Sequence, residues 1–322
     1  MFAILAGANA LILAAAPPPV PFHCGACSFN SGEAFIHTLP GESMPAGQWA
    51  FSLRADLQGF DAFSDAELLA QAGQGVFTHS IDESFVLRAG VAHALSDEWT
   101  IGADLPYVSN QNLHEGVDNG GVPAVEDNGD QQGIGDASLF AQWKFHEDLE
   151  RSLYGSLYFG AKLPTGRTNV HSPGGELLEP DHQPGSGSTD VFAGLALSKS
   201  LGSSTLAASV LYTLAGDGSQ DSNLGDVLRV NAGWGWSPAA GGGTLWRWML
   251  ELNGQWHERM ALDGATDPNS GGVQLFVAPG LRVTWPSGLC WFASLGLPLA
   301  QNLNGVQSET SYRASTGVGF SL

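Results

Sequence analysis

From Trp49 to the C-terminus, apolar and polar residues alternate in twelve segments. In the first, Trp49, Phe51, Leu53, Ala55 and Leu57 share one face, and Gln48, Ser52, Arg54, Asp56 and Gln58 share the other. A period of two is the mark of a β-strand with two chemically different faces. The pattern predicts strands at 48–59, 83–95, 99–109, 134–146, 152–164, 189–200, 204–215, 225–236, 245–258, 273–285, 289–299 and 310–322. The connections alternate as well: long at 60–82, 110–133 and 165–188, short at 96–98, 147–151 and 201–203. Long loops on one side and tight turns on the other are expected of a membrane barrel, whose strands show one face to lipid and one to a lumen.

A soluble sandwich, apolar inside and polar outside, gives the same period. Tryptophan placement separates the two. Trp49, Trp99, Trp143, Trp234, Trp236, Trp246, Trp248, Trp285 and Trp291 fall near the strand ends that meet short turns, and only Trp256 lies near a long loop. Indoles gathered at one level form an interfacial girdle, whereas core tryptophans would scatter along the strands. The expectation is an all-β fold: a twelve-stranded antiparallel transmembrane outer-membrane β-barrel over 48–322, with the lipid bilayer as its surroundings.

Composition agrees. Only 14% of residues are charged and the mean hydropathy is close to zero, against about 25% charged in ordinary soluble proteins. Residues 1–16 form the one helix-like apolar run and stop at Pro17-Pro18-Pro19. They read as a signal-peptide-like segment. No Lys or Arg precedes Arg54, so the true start is expected to lie upstream. Residues 17–47, rich in Pro, Gly and Ser, read as a periplasmic N-terminal segment.

The formal charge of −20 excludes nucleic acid as a partner. Eight of the twelve basic residues fall on polar strand positions: Arg54, Arg88, Lys144, Lys162, Arg229, Arg247, Arg282 and Arg313. With Asp56, Asp104, Asp136 and Glu251 they are the expected lumen-lining set. They either select anions and aromatic acids or lock together as a salt-bridge network. Phe140, Tyr154, Tyr158, Phe192, Phe276 and Phe292 share that phase and point to a narrow passage. Ser64 with Glu67 forms a capping-box pattern opening a helix over 64–72.

Three strand tops share a motif: Gly102-Ala103-Asp104-Leu105-Pro106, Gly160-Ala161-Lys162-Leu163-Pro164 and Gly296-Leu297-Pro298. The run from Gly160 to Gly166, followed by Gln183-Pro184-Gly185-Ser186-Gly187-Ser188-Thr189-Asp190, resembles the outer-membrane transporters grouped with the meta-pathway of phenol degradation. The resemblance implies a transport barrel in the bacterial outer membrane and a presumed cargo of aromatic or hydrophobic small molecules. It carries no catalytic residue. The ending Ser315-x-Gly317-x-x-Phe320-x-Leu322 resembles the C-terminal signal read by the outer-membrane assembly machinery, which makes that machinery an expected partner.

Other chemistry is sparser. His23-Cys24-Gly25-Ala26-Cys27 has the spacing of a disulfide between Cys24 and Cys27, a redox pair, or half a soft-metal site. The long loops carry His79, His114, His171 and His182; Glu115 sits beside His114 and Asp181 beside His182. A metal-handling surface protein using His23, Cys24, Cys27, His114 and His182 is therefore the rival reading, and a closed structural barrel the other. No nucleophile motif such as Gly-x-Ser-x-Gly occurs. The expected function is passive or facilitated passage of small solutes, with no cofactor and no catalytic step.

Overall fold

The structure is a computed structural model that describes residues 35–76, 78–238 and 243–322. Twelve strands form its wall: β1 (Trp49–Phe60), β2 (Glu83–Ala94), β3 (Trp99–Asp118), β4 (Ser138–Asp148), β5 (Leu153–Lys162), β6 (Asp190–Leu201), β7 (Ser204–Leu214), β8 (Val227–Trp236), β9 (Leu245–His257), β10 (Gly272–Thr284), β11 (Leu289–Leu303) and β12 (Thr310–Ser321). Each pairs antiparallel with its neighbours in sequence, and β12 pairs with β1 from Ala50↔Ser321 to Phe60↔Thr310. That last ladder closes the sheet and leaves the wall without a free edge.

Alternation becomes burial strand by strand. Along β7, Thr205, Ala207, Ser209 and Leu211 are buried while Leu206, Val210 and Tyr212 are exposed. The exposed face is apolar around the wall: Leu53, Leu105, Phe159, Leu197, Val230, Leu252, Leu275 and Leu297 all point outward. Water would penalise such a surface by about 25 cal/mol per Å², so hydrocarbon is its medium. At the short-turn end the indoles gather: Trp99 pairs with Trp143 across the β3–β4 ladder, their rings stacked 5.9 Å apart, and Trp236 pairs with Trp248.

The strands differ from expectation where the wall leaves the bilayer. β3 was expected to end near 109 but runs to Asp118 and turns back through a strand at Pro123–Ile134. This hairpin has polar residues on both faces, so it lacks the contrast that marks a lipid-facing strand. Proline has no N–H to donate to a ladder, yet β3 and β11 pass through Pro106 and Pro298. Pro106 pairs with Arg88 on β2, while the ladder to β4 stops just before it, at Asp104↔Ser138. Its missing N–H thus interrupts pairing on one side alone, where it resumes at Tyr107↔Ile134. Pro298 lies at a register shift of the β10–β11 ladder.

The capping-box reading gives a real helix, α1 (Asp65–Ala72), with the Glu67 carboxylate accepting from Ser64 N at 2.8 Å. It lies on the outer rim: Leu68 is buried, and its backbone leaves no room for a Cβ at Gly116 of β3.

Candidate functional site

The lumen is filled. Residues 35–47 carry no strand and fold up inside the barrel. Backbone N–H groups of Ile36, His37 and Thr38 converge on the Glu251 carboxylate at 2.7–3.2 Å, and Thr38 Oγ1 donates to it at 2.8 Å. Leu39 N donates to Ser209 Oγ and Gly41 N to Ser198 Oγ. In the other direction, Arg54 donates to Ile36 O, Asn231 to His37 O, Tyr158 to Pro40 O, Ser156 to Gly41 O and Gln142 to Glu42 O. Ala46 N donates to Asp97 Oδ1 in the β2–β3 turn, and Gly47 N to Ala94 O. The wall thus supplies the hydrogen bonds that an irregular segment removed from water requires.

Apolar contacts complete the seal. Phe35 and Ile36 pack with Ala207, Met249 and Phe292. Leu39 and Met44 pack with Phe140, Tyr158, Phe192 and Leu211. Phe140, Tyr158, Phe192 and Phe292, four of the six aromatic residues expected to line a narrow passage, are thus the seat of this plug. Gly233 shows how close the fit is, since a Cβ there would lie 2.5 Å from the Phe35 ring.

The expected lumen residues face inward. Arg54, Arg88, Asp104, Arg229, Arg247, Glu251 and Arg282 are buried, and Asp56 and Arg313 are partly so. Arg54 is bound to Asp56 at 2.8 Å, and Arg88 lies 3.6 Å from Asp56 and 3.9 Å from Asp104. Other guanidiniums lie on rings: Arg313 is 3.9 Å from the Phe276 centroid, Arg282 5.4 Å from Phe292 and Arg247 5.9 Å from Phe35. Six arginines thus share the interior with Asp56, Asp104 and Glu251. Lys144 sits at the short-turn rim, paired with Glu147 beyond a bulge in β4. Above the plug, a recess lined by Gln58, Gln255, Gln274, Thr310 and Arg313 leads outward.

Lys162 and Asp136 belong to a separate knot. Lys162 Nζ lies 2.7 Å from Asp190 and 3.4 Å from Asp136, and it donates to Ser188 Oγ. Asp136 accepts from Gly166 N, Ser186 N and Ser186 Oγ. A Cβ on either Gly166 or Gly185 would lie 2.6 Å from the other's backbone. The motif residues of 160–190 therefore meet at one point and fix loop 165–188 to the wall.

That loop caps the outer mouth beside His79, which lies in the short strand Thr78–Ser80. His79 Nε2 is 3.1 Å from Glu115 and 3.6 Å from Glu179. Burial alone would lower the His79 pKa, but the Glu115 hydrogen bond and the surrounding carboxylates outweigh it and raise it to about 10. Burial pushes Glu179 and Asp181 upward, reinforced by neighbouring acids. His182 is pushed well below its ordinary value by burial and by His79.

His114 is not brought to His182 as a pair. It lies on the strand face opposite Glu115 and, part-exposed, approaches Asp65 and Asp127 at 3.7 and 3.8 Å. Strand alternation is the reason: His79 pairs with Glu115, and His114 with Ser80. Sequence reading placed His79 among the loop histidines but did not join it to His182, because 103 positions separate them. His23, Cys24 and Cys27, with the signal-like run 1–16, lie outside the described residues. Exposed Asp118, Asp127, Asp130, Asp221, Asp263 and Glu309 stud the long-loop end.

The sequence matches no family model and no curated protein. Among solved structures, the chain is similar to an outer-membrane channel of Pseudomonas putida F1, with 16% identity and a TM-score of 0.59 over 87% of this chain and 97% of that one. The toluene transporter TbuX of Ralstonia pickettii aligns at 11% identity and a TM-score of 0.45, over 86% of this chain and 90% of that one. The first of these likenesses, together with the apolar belt, makes the fold that of a bacterial outer-membrane channel.

Proposed function

We propose that this chain is an outer-membrane channel for passive or facilitated passage of small organic anions, aromatic acids among them, without a catalytic step. The observation that carries the reading is the inward face: six guanidiniums against three carboxylates, several stacked on aromatic rings. Such walls attract an anion by charge and hold a planar ring by its face. The likeness of 160–190 to the outer-membrane transporters grouped with the phenol meta-pathway supports the aromatic part of that cargo.

The docked segment 35–47 makes passage conditional on its displacement. It also favours a second reading, a barrel that stays closed. Current through the refolded chain in planar bilayers, with reversal potentials in a salt gradient and a panel of benzoates, tests both. Anion-selective current supports the channel. Cation selectivity, or silence even when the plug is loosened, rejects it.

A further inference from the structure

Under the outer cap, two imidazoles from distant parts of the chain meet. His79 belongs to the short strand Thr78–Ser80 and His182 ends the one-turn helix Pro180–His182. Both side chains are 1% exposed, and their rings lie edge to face with centroids 4.5 Å apart. The Glu179 carboxylate joins them, so that one donor atom from each of His79, Glu179 and His182 lies within 4.8 Å of the others.

The spacing fits an ion. A tetrahedral centre with bonds of about 2.0–2.1 Å sets its donors roughly 3.3–3.4 Å apart. Here His79 lies 3.1 Å from Glu115 and 3.6 Å from Glu179, and His182 lies 3.3 Å from Asp181. Two of these atoms, His182 Nε2 and Glu179 Oε2, are buried with no hydrogen-bond partner among the described residues. Three carboxylates crowd two imidazoles, so oxygen and nitrogen donors converge on one point. Imidazole with carboxylate suits zinc, copper or nickel better than calcium or magnesium, which prefer all-oxygen shells.

The surroundings are built to hold these groups still. Gln183, next to His182, accepts from Val170 N and donates to Val170 O and Leu178 O. Asn128 donates to Glu115 Oε2 at 3.0 Å, the kind of outer partner that orients a ligand. Ile81, Leu113, Val170 and Leu178 form an apolar floor. A cavity of about 350 Å³, lined by His79, Glu115, Glu179 and His182, gives an ion room to enter.

We propose that His79, Glu179 and His182 bind one divalent transition-metal ion, with Glu115 as its fourth ligand and Asp181 beside His182, and that the ion clasps loop 165–188 to the strand 78–80 across the outer mouth. The ion is a structural clasp, not cargo, and the inference stands whether or not the barrel conducts.

The test uses the untagged full chain in detergent, stripped with chelator and titrated with zinc against a chromophoric indicator. One equivalent is expected to bind, and His79→Ala or His182→Ala to weaken it by roughly 100-fold or more. His114→Ala should leave it unchanged. Cobalt substitution should give the intense visible bands of a tetrahedral site, and zinc should slow tryptic cleavage after the exposed Arg167. The proposal is overturned if the wild type binds no more zinc than the His79→Ala/His182→Ala double variant, or if His114→Ala abolishes binding equally. Should those variants fail to fold, as judged by heat-modifiable migration, Glu179→Gln and the wild-type cobalt spectrum decide. A wild type without tetrahedral cobalt bands overturns the site, and zinc binding without protection at Arg167 overturns the clasp.

Discussion

Replacing Glu251 by alanine is expected to release the plug. The carboxylate, fully buried, takes hydrogen bonds from three consecutive backbone N–H groups and one hydroxyl of residues 36–38. A hydrogen bond to a charged group contributes about 1.5–3 kcal/mol, and such contributions do not sum within a cluster. Removing the shared acceptor strands the three N–H groups in the lumen, so about 3 kcal/mol is a conservative loss for the docked state. At 1.4 kcal/mol per tenfold, that raises the undocked fraction roughly 150-fold. Single-channel recording reads this as open probability: rare openings in the wild type, frequent ones in Glu251→Ala, and an intermediate level in Glu251→Gln, which keeps one acceptor oxygen. The barrel itself should survive, since β9 keeps its ladders to β8 and β10. An unchanged open probability in a variant that migrates as a folded barrel would refute the assignment of Glu251 as the plug's anchor.

Other outcomes follow from the same structure. In the Glu251→Ala background, adding Arg54→Ala and Arg313→Ala should lower the anion-to-cation permeability ratio several-fold, and unchanged reversal potentials would remove the arginines from selectivity. Lys162→Met strands the Asp136 and Asp190 carboxylates and should cost about 3–5 kcal/mol, read as a lower denaturant midpoint in micelles. Gly166→Ala forces apart two backbones in contact and should cost about 1–3 kcal/mol; full retention of stability would mean the loop is not pinned there. Leu252→Arg, on the outward face, should cost about 2–4 kcal/mol in lipid bilayers, read as a lower denaturant midpoint of folding; an unchanged midpoint would mean that this face does not meet hydrocarbon.

The barrel was legible because lipid on one side and polar groups on the other impress a period of two on every spanning strand. Apart from the far end of β3, the twelve strands lie within four residues of their expected bounds, and the tryptophans mark the interface. Legibility stopped where that contrast stops. The hairpin of β3 with Pro123–Ile134 stands above the hydrocarbon, so neither of its faces had to be apolar. The plug left only faint marks: four apolar residues, Phe35, Ile36, Leu39 and Met44, in a segment otherwise rich in breakers, and an acid at an inward position of β9. Neither mark says that the two meet, because the meeting spans more than two hundred positions. A separation of 103 positions likewise hid the pairing of His79 with His182. Hydrophobic period encodes a strand's own surroundings, not its long-range partners.

The acidic long-loop end and the guanidinium-lined interior stand in series along one axis. Mobile ions crossing such a path meet a cation-rich zone and then an anion-rich one, as charge carriers do at a semiconductor junction. Once the plug is displaced, current driven in one direction enriches the passage in salt and current driven in the other depletes it. The current–voltage curve of a single inserted molecule therefore bends, and the sense of the bend reports which way the molecule is oriented in the film.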